Sequence, residues 1–459
     1  MSQPRDVFAL AILWVSALSA QAAPTYTVQN PWWDAIQGGI LPASQDWDNP
    51  NGLLRILNVS GEIQGTGHPF FTPLGTNGRA CVTCHQPATS MTVSAALLRR
   101  RWDESQGKDP VFEAVDGSNC PSLPQAQKAS HSLLLNRGLF RIGISWPPQN
   151  PDGTSMTAEF QLEVVNDPTG CNTSSVYGLS SKNPTISVYR RPRVAANLQY
   201  VAGADGMNLM ADGREPTLES QATHATLVHE EAAAPPTPAQ IDQIVKFENQ
   251  VFAAQIWDIY GGNLGESNGP RSLGVNNLAA GAAGADAVPV TADAFDSWRN
   301  QKGLPYLEQA FRESAVRGMD IFLSRQFTLS PGVTGTCAGC HRPGTARWMD
   351  IGSTNAPTAK ESPELPLFKI TCNDGVPPHP TLGTVFYTQD PGRALISGKC
   401  ADAGSILMQQ FRGLAARAPY FSNGSAATLA ELVDFYDRRF AIGFSDQEKQ
   451  DLVNLLSIF

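Results

Sequence analysis

Apolar residues recur at helical spacing in several stretches of the chain, and this periodicity predicts most of its regular structure. The stretches with apolar residues three or four positions apart are 239–256, 307–323, 428–438 and 445–458. Thr428 and Ser445 are N-cap residues of the last two, and Glu448 follows Ser445 at the spacing of a capping box. Strand signals are sparse, and the best are at 138–144 and 158–165. The pattern predicts a mainly α-helical fold with long loops and a few short strands.

The first 23 residues have the pattern of a secretory signal. Arg5 precedes an apolar run at 7–18, which is too short to span a bilayer comfortably. The segment Ala20-Gln21-Ala22 then supplies the small-x-small pattern of a cleavage site. We expect a cleavable signal peptide at 1–23 and a periplasmic mature chain without a membrane span. An uncleaved anchor helix is the alternative.

Composition narrows the class of partner. The chain has 459 residues and a formal net charge of −9. The length allows two or three domains, and the apolar content is ordinary for a folded protein. The negative charge disfavours nucleic acid and anionic membrane surfaces as partners.

The eight cysteines fit an oxidising compartment. Half of them belong to two short motifs, and the other half are Cys120, Cys171, Cys372 and Cys400. An even remainder indicates two disulfides. Pairing nearest neighbours gives Cys120–Cys171 and Cys372–Cys400. Four cysteines allow three connectivities, and free buried thiols are the alternative.

The sequence Cys-x-x-Cys-His occurs twice, as Cys81-Val82-Thr83-Cys84-His85 and as Cys337-Ala338-Gly339-Cys340-His341. Cysteines at i and i+3 lie on one face of a helical turn, so both thiols reach the vinyl groups of one porphyrin. The histidine at i+4 then lies beneath the iron as its proximal ligand. The spacing therefore predicts two covalently bound haem c groups. A zinc site or a redox dithiol is the alternative, although no second pair of metal ligands lies near either motif.

Two attachment motifs suggest two domains. The stretch 261–287 is rich in Gly, Ala and Asn and has few large apolar residues, which is typical of a linker or surface excursion. We therefore expect one cytochrome c-type domain at 24–260, a linker at 261–290 and a second cytochrome c-type domain at 291–459.

Further segments resemble the bacterial dihaem cytochrome c peroxidase and MauG superfamily. They are Gly75-Thr76-Asn77-Gly78-Arg79-Ala80 and Gln86-Pro87 around the first motif, Arg317-Gly318-Met319-Asp320-Ile321-Phe322 before the second, Asp212-Gly213-Arg214 with Leu218-Glu219-Ser220-Gln221-Ala222, and Phe411-Arg412 with Ala418-Pro419-Tyr420-Phe421 and Asn423-Gly424-Ser425. The likeness runs through most of the chain from about residue 55, and 90–205 match only loosely.

The resemblance implies different tasks for the two haems. The haem on His85 would be the peroxidatic one, with a distal face that hydrogen peroxide can reach. The haem on His341 would be low-spin and would transfer electrons. Its sixth ligand would be Tyr436, at a position where peroxidases of the superfamily have Met and MauG-type enzymes have Tyr. The alternative is that Tyr436 only packs its ring on an amphipathic helix.

Cleavage of peroxide needs a base and a hydrogen-bond donor near the distal face. The resemblance places Gln221 in one of these roles and His229 or Glu230 in the other, with His224 as a further candidate of the cluster. The alternative is a solvated polar end of a helix. A removable distal histidine, as in resting peroxidases, could only be His131, and no local pattern supports it. His68 and His379 have no assigned role.

Two positions depart from the superfamily pattern. Ala211 stands where a Trp between the haems is common, and Ser422 stands where a His usually follows Pro-Tyr-Phe. Both changes put a standard electron-relay path in doubt. The resemblance also implies a Ca²⁺ between the domains, held by groups near Arg190, Arg417 and Pro419.

The leading hypothesis is a periplasmic dihaem oxidoreductase that reacts with hydrogen peroxide. A small periplasmic electron-donor protein or an organic substrate would supply its electrons. A dioxygen-dependent enzyme resembling the rubber oxygenases is a second hypothesis. A dihaem electron-transfer protein without catalysis is a third, and it predicts two six-coordinate irons that do not react with peroxide.

Overall fold

The computed structural model describes residues 30–150, 152–201, 209–281, 293–299, 301–341, 348–350, 352–356 and 362–459. The predicted signal peptide at 1–23 and most of the second half of the predicted linker lie outside these ranges. Residues 31–459 form one compact unit. In the described part of the predicted linker, Leu264, Leu273 and Leu278 are fully buried. The division into two haem domains stays a prediction.

The α-helices of the described ranges are α1 Cys81–Cys84, α2 Ala95–Ser105, α3 Ser132–Arg137, α4 Leu218–His229, α5 Pro238–Gln250, α6 Val275–Ala279, α7 Asp296–Arg299, α8 Tyr306–Ser324, α9 Cys337–Cys340, α10 Ala394–Ser397, α11 Leu429–Phe440 and α12 Asp446–Ser457. Short 3₁₀ helices lie at Pro87–Thr89, Pro110–Phe112, Lys128–His131, Leu198–Tyr200, Cys400–Asp402 and Leu414–Ala416.

The strands are β1 Ile40–Leu41, β2 Ser44–Asn49, β3 Gly52–Asn58, β4 Ile63–Gln64, β5 Phe140–Ser145, β6 Phe160–Asn166, β7 Thr185–Arg190, β8 Val251–Asp258, β9 Gly262–Asn263, β10 Phe327–Ser330, β11 Val333–Gly335, β12 Trp348–Met349, β13 Leu367–Cys372, β14 Val385–Thr388 and β15 Ile406–Leu407. They form an antiparallel sheet of order β2-β3-β8-β9, a second of order β14-β13-β6, and the strand pairs β1–β4, β5–β7, β10–β11 and β12–β15.

The prediction of a mainly α-helical fold is wrong. The part of the chain that the structure describes is only 32% helical, with 19% in strands of several small sheets. Most strands are two to four residues long, which is too short to show alternation. Only β5 and β6 gave a sequence signal, and both lie where it was expected.

The predicted helix at 239–256 is correct in its first part only. The helix α5 ends at Gln250, and Val251 begins β8, in the interior of the four-stranded sheet. Residues 251–255 are all buried, with Ile56 of β3 opposite Ala253. A strand that is covered on both faces is apolar at successive positions. Such a run also contains apolar residues three and four positions apart, so β8 fitted the spacing of a helix.

The remaining helix predictions and both disulfides are confirmed. The helices α8, α11 and α12 occupy the predicted segments, Thr428 and Ser445 cap the last two, and Ser445 forms its capping box with Glu448. The pairs Cys120–Cys171 and Cys372–Cys400 are bonded, with Cα–Cα distances of 5.3 and 5.6 Å. Within the described ranges, no helix is both long and apolar enough to cross a membrane.

The helices α8 and α12 pack closely just before the second motif. Arg317 Nη2 donates to Asp451 Oδ1 at 2.8 Å, and Ser314 Oγ donates to the same oxygen at 2.6 Å. Gly318 lies against the backbone of α12, where a Cβ atom would stand 2.2 Å from the Asp451 carbonyl oxygen. The arginine and glycine of this segment therefore fix the distance between the two helices.

The variant Gly318→Ala should lower the free energy of unfolding by about 2 kcal/mol. Helix propensity alone would favour alanine by about 1 kcal/mol, but two helix backbones must separate to admit the methyl group, and overpacking costs about 1–3 kcal/mol or more. Chemical denaturation measures the change. Gly352→Ala is the control, because a Cβ at Gly352 meets no atom within 4 Å. Equal stability of Gly318→Ala and the parent chain would contradict the close packing.

Candidate functional site

The first Cys-x-x-Cys-His motif forms a single helical turn, α1, whose start is held by a hydrogen bond from Ala80 N to Thr83 Oγ1 of 3.0 Å. His85 follows the turn and is oriented by a hydrogen bond of 3.0 Å between its Nδ1 and the Met91 carbonyl. A carbonyl only accepts, so Nδ1 carries the proton and Nε2 keeps its lone pair. Burial lowers the pKa of His85, which favours this neutral form. The imidazole thus has the tautomer and orientation of a metal ligand.

None of the four motif cysteines takes part in a disulfide. Burial raises the pKa of the Cys84 and Cys337 thiols to about 12. A redox dithiol needs a lowered thiol pKa, so these thiols do not have the character of a reactive pair. Among the described residues, no group of three or more His, Cys, Asp or Glu side chains is arranged to hold a bare metal ion.

A cavity of about 240 Å³ lies beside the first motif. Cys81, Cys84 and His85 line it, and so does His341 of the second motif. The fold therefore brings the two motifs, far apart in the sequence, to one cavity. Thiols on one wall and a histidine lone pair beside them are the donor set that a c-type haem requires, so the residues fit the group.

The three predicted distal residues line the same cavity. Gln221 and His229 belong to α4, and Glu230 is the residue that ends it. His224, by contrast, is exposed and pairs with Glu215 away from the cavity lining.

Glu230 is fixed at the edge of the first motif. Its Oε2 accepts a hydrogen bond of 2.9 Å from Leu74 N, and its Oε1 lies 3.7 Å from Cys81 Sγ. Burial raises the pKa of Glu230 to about 7. The backbone of Glu230 packs on Gly75, where a Cβ would lie 1.7 Å from the Glu230 carbonyl oxygen. Gly75 is therefore required for this close approach.

His229 is held by a buried carboxylate. Its Nδ1 lies 2.6 Å from Asp116 Oδ2, while the other oxygen of Asp116 accepts from the buried guanidinium of Arg79. Arg79 also donates to the Val111 carbonyl at 2.9 Å. Arg79 and His229 together lower the pKa of Asp116, whose burial alone would raise it. The ion pair orients His229 so that its Nε2 is the nitrogen left for other partners.

Sequence reasoning missed Glu248. This residue lies on α5, is 5% exposed, and lines the cavity. Its Oε2 has no hydrogen-bond partner among the described residues, and burial raises its pKa to about 8. Nothing in the sequence marks it, because a glutamate on an amphipathic helix is typical of the solvated face.

The second motif has a smaller cavity of about 60 Å³. Cys337, Cys340, His341 and Tyr436 all line it. Tyr436 lies on α11, its ring stacks on Phe440 with 6.2 Å between centroids, and burial raises the pKa of its phenol. The structure thus brings Tyr436 and His341 to one cavity, and ligation by Tyr436 stays a prediction. His341 lines both cavities, the larger and the smaller.

The remaining histidines have structural partners. His131 is fully buried, and its two ring nitrogens lie 2.8 and 2.9 Å from the carbonyls of Gly117 and Gln125. It does not line the cavity and is therefore not placed as a removable distal ligand. His68 packs against Phe71 and Phe247, and His379 Nε2 lies 3.0 Å from Asp350 Oδ2.

The groups near Arg190, Arg417 and Pro419 do not fit a Ca²⁺ ion. The Arg417 carbonyl, an implied ligand, accepts a hydrogen bond of 2.7 Å from Arg191 Nη2. Arg190 pairs with Asp212 and with Asp390, so these carboxylates are already neutralised. Ca²⁺ requires six to eight oxygen ligands, and here the Arg417 carbonyl and both carboxylates already bind guanidinium groups.

No protein-family model matches this chain. No curated protein matches it either. Among solved structures, it is similar to a MauG-like protein associated with microbial copper homeostasis, at 15% sequence identity and a TM-score of 0.32. That similarity covers 60% of this chain and 76% of the other. Membership of the dihaem peroxidase and MauG superfamily stays a prediction.

Proposed function

We propose that this chain is a dihaem c oxidoreductase that reacts with hydrogen peroxide at the His85 site and passes oxidising equivalents to the His341 site. One observation carries the proposal. A single cavity is lined by the first attachment motif, by His341 of the second, and by candidate acid–base residues. A cavity that combines a haem donor set with titratable groups suits catalysis better than simple electron transfer.

Each haem, when bound, would supply an iron that exchanges electrons and, where one axial face is open, binds an oxidant. In this chain Cys81 and Cys84 would anchor one group, with His85 as the iron ligand. Cys337 and Cys340 would anchor the other, with His341 as its ligand. The hydrogen bond from His85 to Met91 fixes the tautomer and orientation of the imidazole, and burial favours its neutral form.

Glu230 is the residue that we expect to move a proton. With a pKa of about 7, the Glu230 carboxylate would accept a proton from hydrogen peroxide at neutral pH and could release it again within the cavity. Gln221 would orient the substrate by hydrogen bonds. His229 would accept a hydrogen bond at Nε2, because Asp116 holds the proton on its Nδ1. Glu248 adds a protonated carboxyl group at neutral pH and so keeps a proton within the same cavity.

Ala211 lines the cavity where an aromatic relay was expected, so electrons would need another path. His341 lines both cavities, and its ring centroid lies 4.3 Å from that of Phe411, which also lines both. We propose that this histidine itself carries the coupling between the two sites. A small periplasmic protein or an organic substrate would supply the electrons.

Optical and EPR spectroscopy of the purified holoprotein, before and after addition of hydrogen peroxide, tests the proposal. We expect a high-spin signal beside a low-spin one and a rapid change of the spectrum with peroxide. Turnover that depends on dioxygen and not on peroxide would favour the rubber-oxygenase-like hypothesis. Two low-spin sites that do not change with peroxide would favour an electron carrier and would contradict catalysis.

Tyr436→Phe should shift the midpoint potential of one haem to more positive values. The reason is that a phenolate ligand stabilises ferric iron more than a neutral ligand does. Spectroelectrochemical titration measures the shift. Tyr387→Phe on β14 is the control, since Tyr387 is only half-buried and lies outside both cavities. Unchanged potentials in Tyr436→Phe would mean that this tyrosine only packs its ring.

A further inference from the structure

The wall of the larger cavity carries buried arginines that form no ion pair with a carboxylate among the described residues. Arg191 and Arg193 line this cavity, and Arg417 packs behind them. Among the described residues, none of the three guanidinium groups lies within ion-pair distance of a carboxylate. Arg190 and Arg214 are different, since both form salt bridges with Asp212.

Backbone carbonyls hold the three guanidinium groups in place. Arg191 Nη2 donates to the carbonyls of Val93 and Arg417 at 2.6 and 2.7 Å. Arg193 donates to those of Leu407 and Met408 at 2.8 and 2.7 Å. Arg417 donates to those of Arg412 and Gln410. Neutral carbonyls fix the position of a cation but leave its charge in the cavity wall.

Arg191 also keeps a hydrogen-bond donor unused. Its side chain is buried, with the residue 6% exposed, and its Nε has no partner in the described part of the chain. Burial lowers the pKa of Arg191 to about 9 and those of Arg193 and Arg417 to about 10, and repulsion by Arg417 adds to the effect on the other two. Uncompensated buried charge is costly, so the arrangement calls for an anion in the cavity.

We infer that Arg191, Arg193 and Arg417 form a fixed cationic site that binds the carboxylate groups of porphyrin and takes the place of a bound Ca²⁺. The inference rests on the proposed function, because it needs porphyrin in this cavity. A guanidinium presents paired N–H donors that match a carboxylate, whereas a Ca²⁺ ion would need six to eight oxygen ligands, and the Arg417 carbonyl already accepts from Arg191. Since Arg191 already donates to the Arg417 carbonyl, the arginine does the bridging that the ion would have done.

The test uses the holoprotein with Arg193→Gln, Arg193→Lys and Arg214→Gln. Arg193 and Arg214 both line the larger cavity, and Arg214→Gln is the control because Asp212 pairs with Arg214. Arg193→Gln should raise the ratio of ferric to ferrous iron at a fixed potential about tenfold, the effect of a unit charge ~10 Å away at an effective dielectric constant of ~20. Arg193→Lys should restore most of the change. Resonance Raman spectra should show altered propionate modes in Arg193→Gln only.

Further experiments distinguish arginine from Ca²⁺ as the cation, and porphyrin from a free acid as the source of the carboxylate. Removal of Ca²⁺ with EGTA should leave the potentials and the thermal unfolding of the wild type unchanged. Arg191→Lys keeps the positive charge, so Ca²⁺ removal should also leave the potentials and thermal unfolding of this variant unchanged. A loss of stability that added Ca²⁺ restores would overturn the inference. So would a shift of the potentials on adding free acetate or citrate that disappears in Arg193→Gln, since the site would then hold a free acid.

Two outcomes distinguish this inference from the proposed function. Equal effects of Arg193→Gln and Arg214→Gln, with two haems still attached, would overturn the cationic site and leave the oxidoreductase intact. A chain without covalent porphyrin would overturn both.

Discussion

The variant Glu230→Gln is expected to slow the reaction with hydrogen peroxide by about 10²- to 10⁴-fold, the usual contribution of a positioned acid–base group. Glutamine has nearly the same shape and can still accept a hydrogen bond from Leu74 N. It cannot take a proton from peroxide at neutral pH. Stopped-flow spectroscopy with peroxide in excess measures the rate, and both haems should remain attached.

The pH dependence gives a second measure of the same residue. Burial raises the pKa of Glu230 to about 7, so the carboxyl group is protonated and inactive as a base below that pH. The rate in the wild type should therefore fall as the pH drops through about 7. This decrease in rate at low pH should be absent in Glu230→Gln. Glu231→Gln is the control, since Glu231 is exposed and its carboxylate only accepts a hydrogen bond from Asn77. Equal rates in the two variants would remove Glu230 from the mechanism.

Replacement of both Cys120 and Cys171 by alanine should lower the free energy of unfolding by about 4 kcal/mol. The two residues are 51 positions apart, and a cross-link over a loop of this length removes about that much conformational freedom from the unfolded chain. Both cysteines are fully buried, so alanine also leaves small voids. Urea denaturation of the holoprotein measures the loss.

The pair Cys372–Cys400 provides an internal comparison for that prediction. It closes a loop of 28 positions and should contribute slightly less, about 3.6 kcal/mol. If the Cys120/Cys171 variant unfolded at the same denaturant concentration as the parent chain, the chain-entropy account of this disulfide would be wrong.

The correct predictions concern elements that depend on residues close together in the sequence. The caps at Thr428 and Ser445 mark helix starts because their side chains accept backbone N–H groups within three residues. The helix α8 has an apolar stripe that is long enough to be unambiguous. The cysteine pairing was a nearest-neighbour argument, and it held because each pair lies within one region of the fold.

The sheets and much of the site depend on contacts that are distant in sequence. The strand β8 lies inside a sheet only because β3 pairs with it from almost two hundred positions away. Asp116 and His229, which share a hydrogen bond, are separated by 113 positions. No periodicity in a single sequence links such residues. The fold was needed to show that Arg191 and Arg193 line a cavity and form no ion pair with a carboxylate of the described residues.

Mass spectrometry of the acid-denatured holoprotein tests the central claim most directly, after expression with the machinery that attaches haem to cytochromes. The account predicts a mature chain that carries two covalently bound porphyrins. Peptide mapping should place one on Cys81 and Cys84 and the other on Cys337 and Cys340. A bare polypeptide mass, with all pigment lost on denaturation, would contradict it.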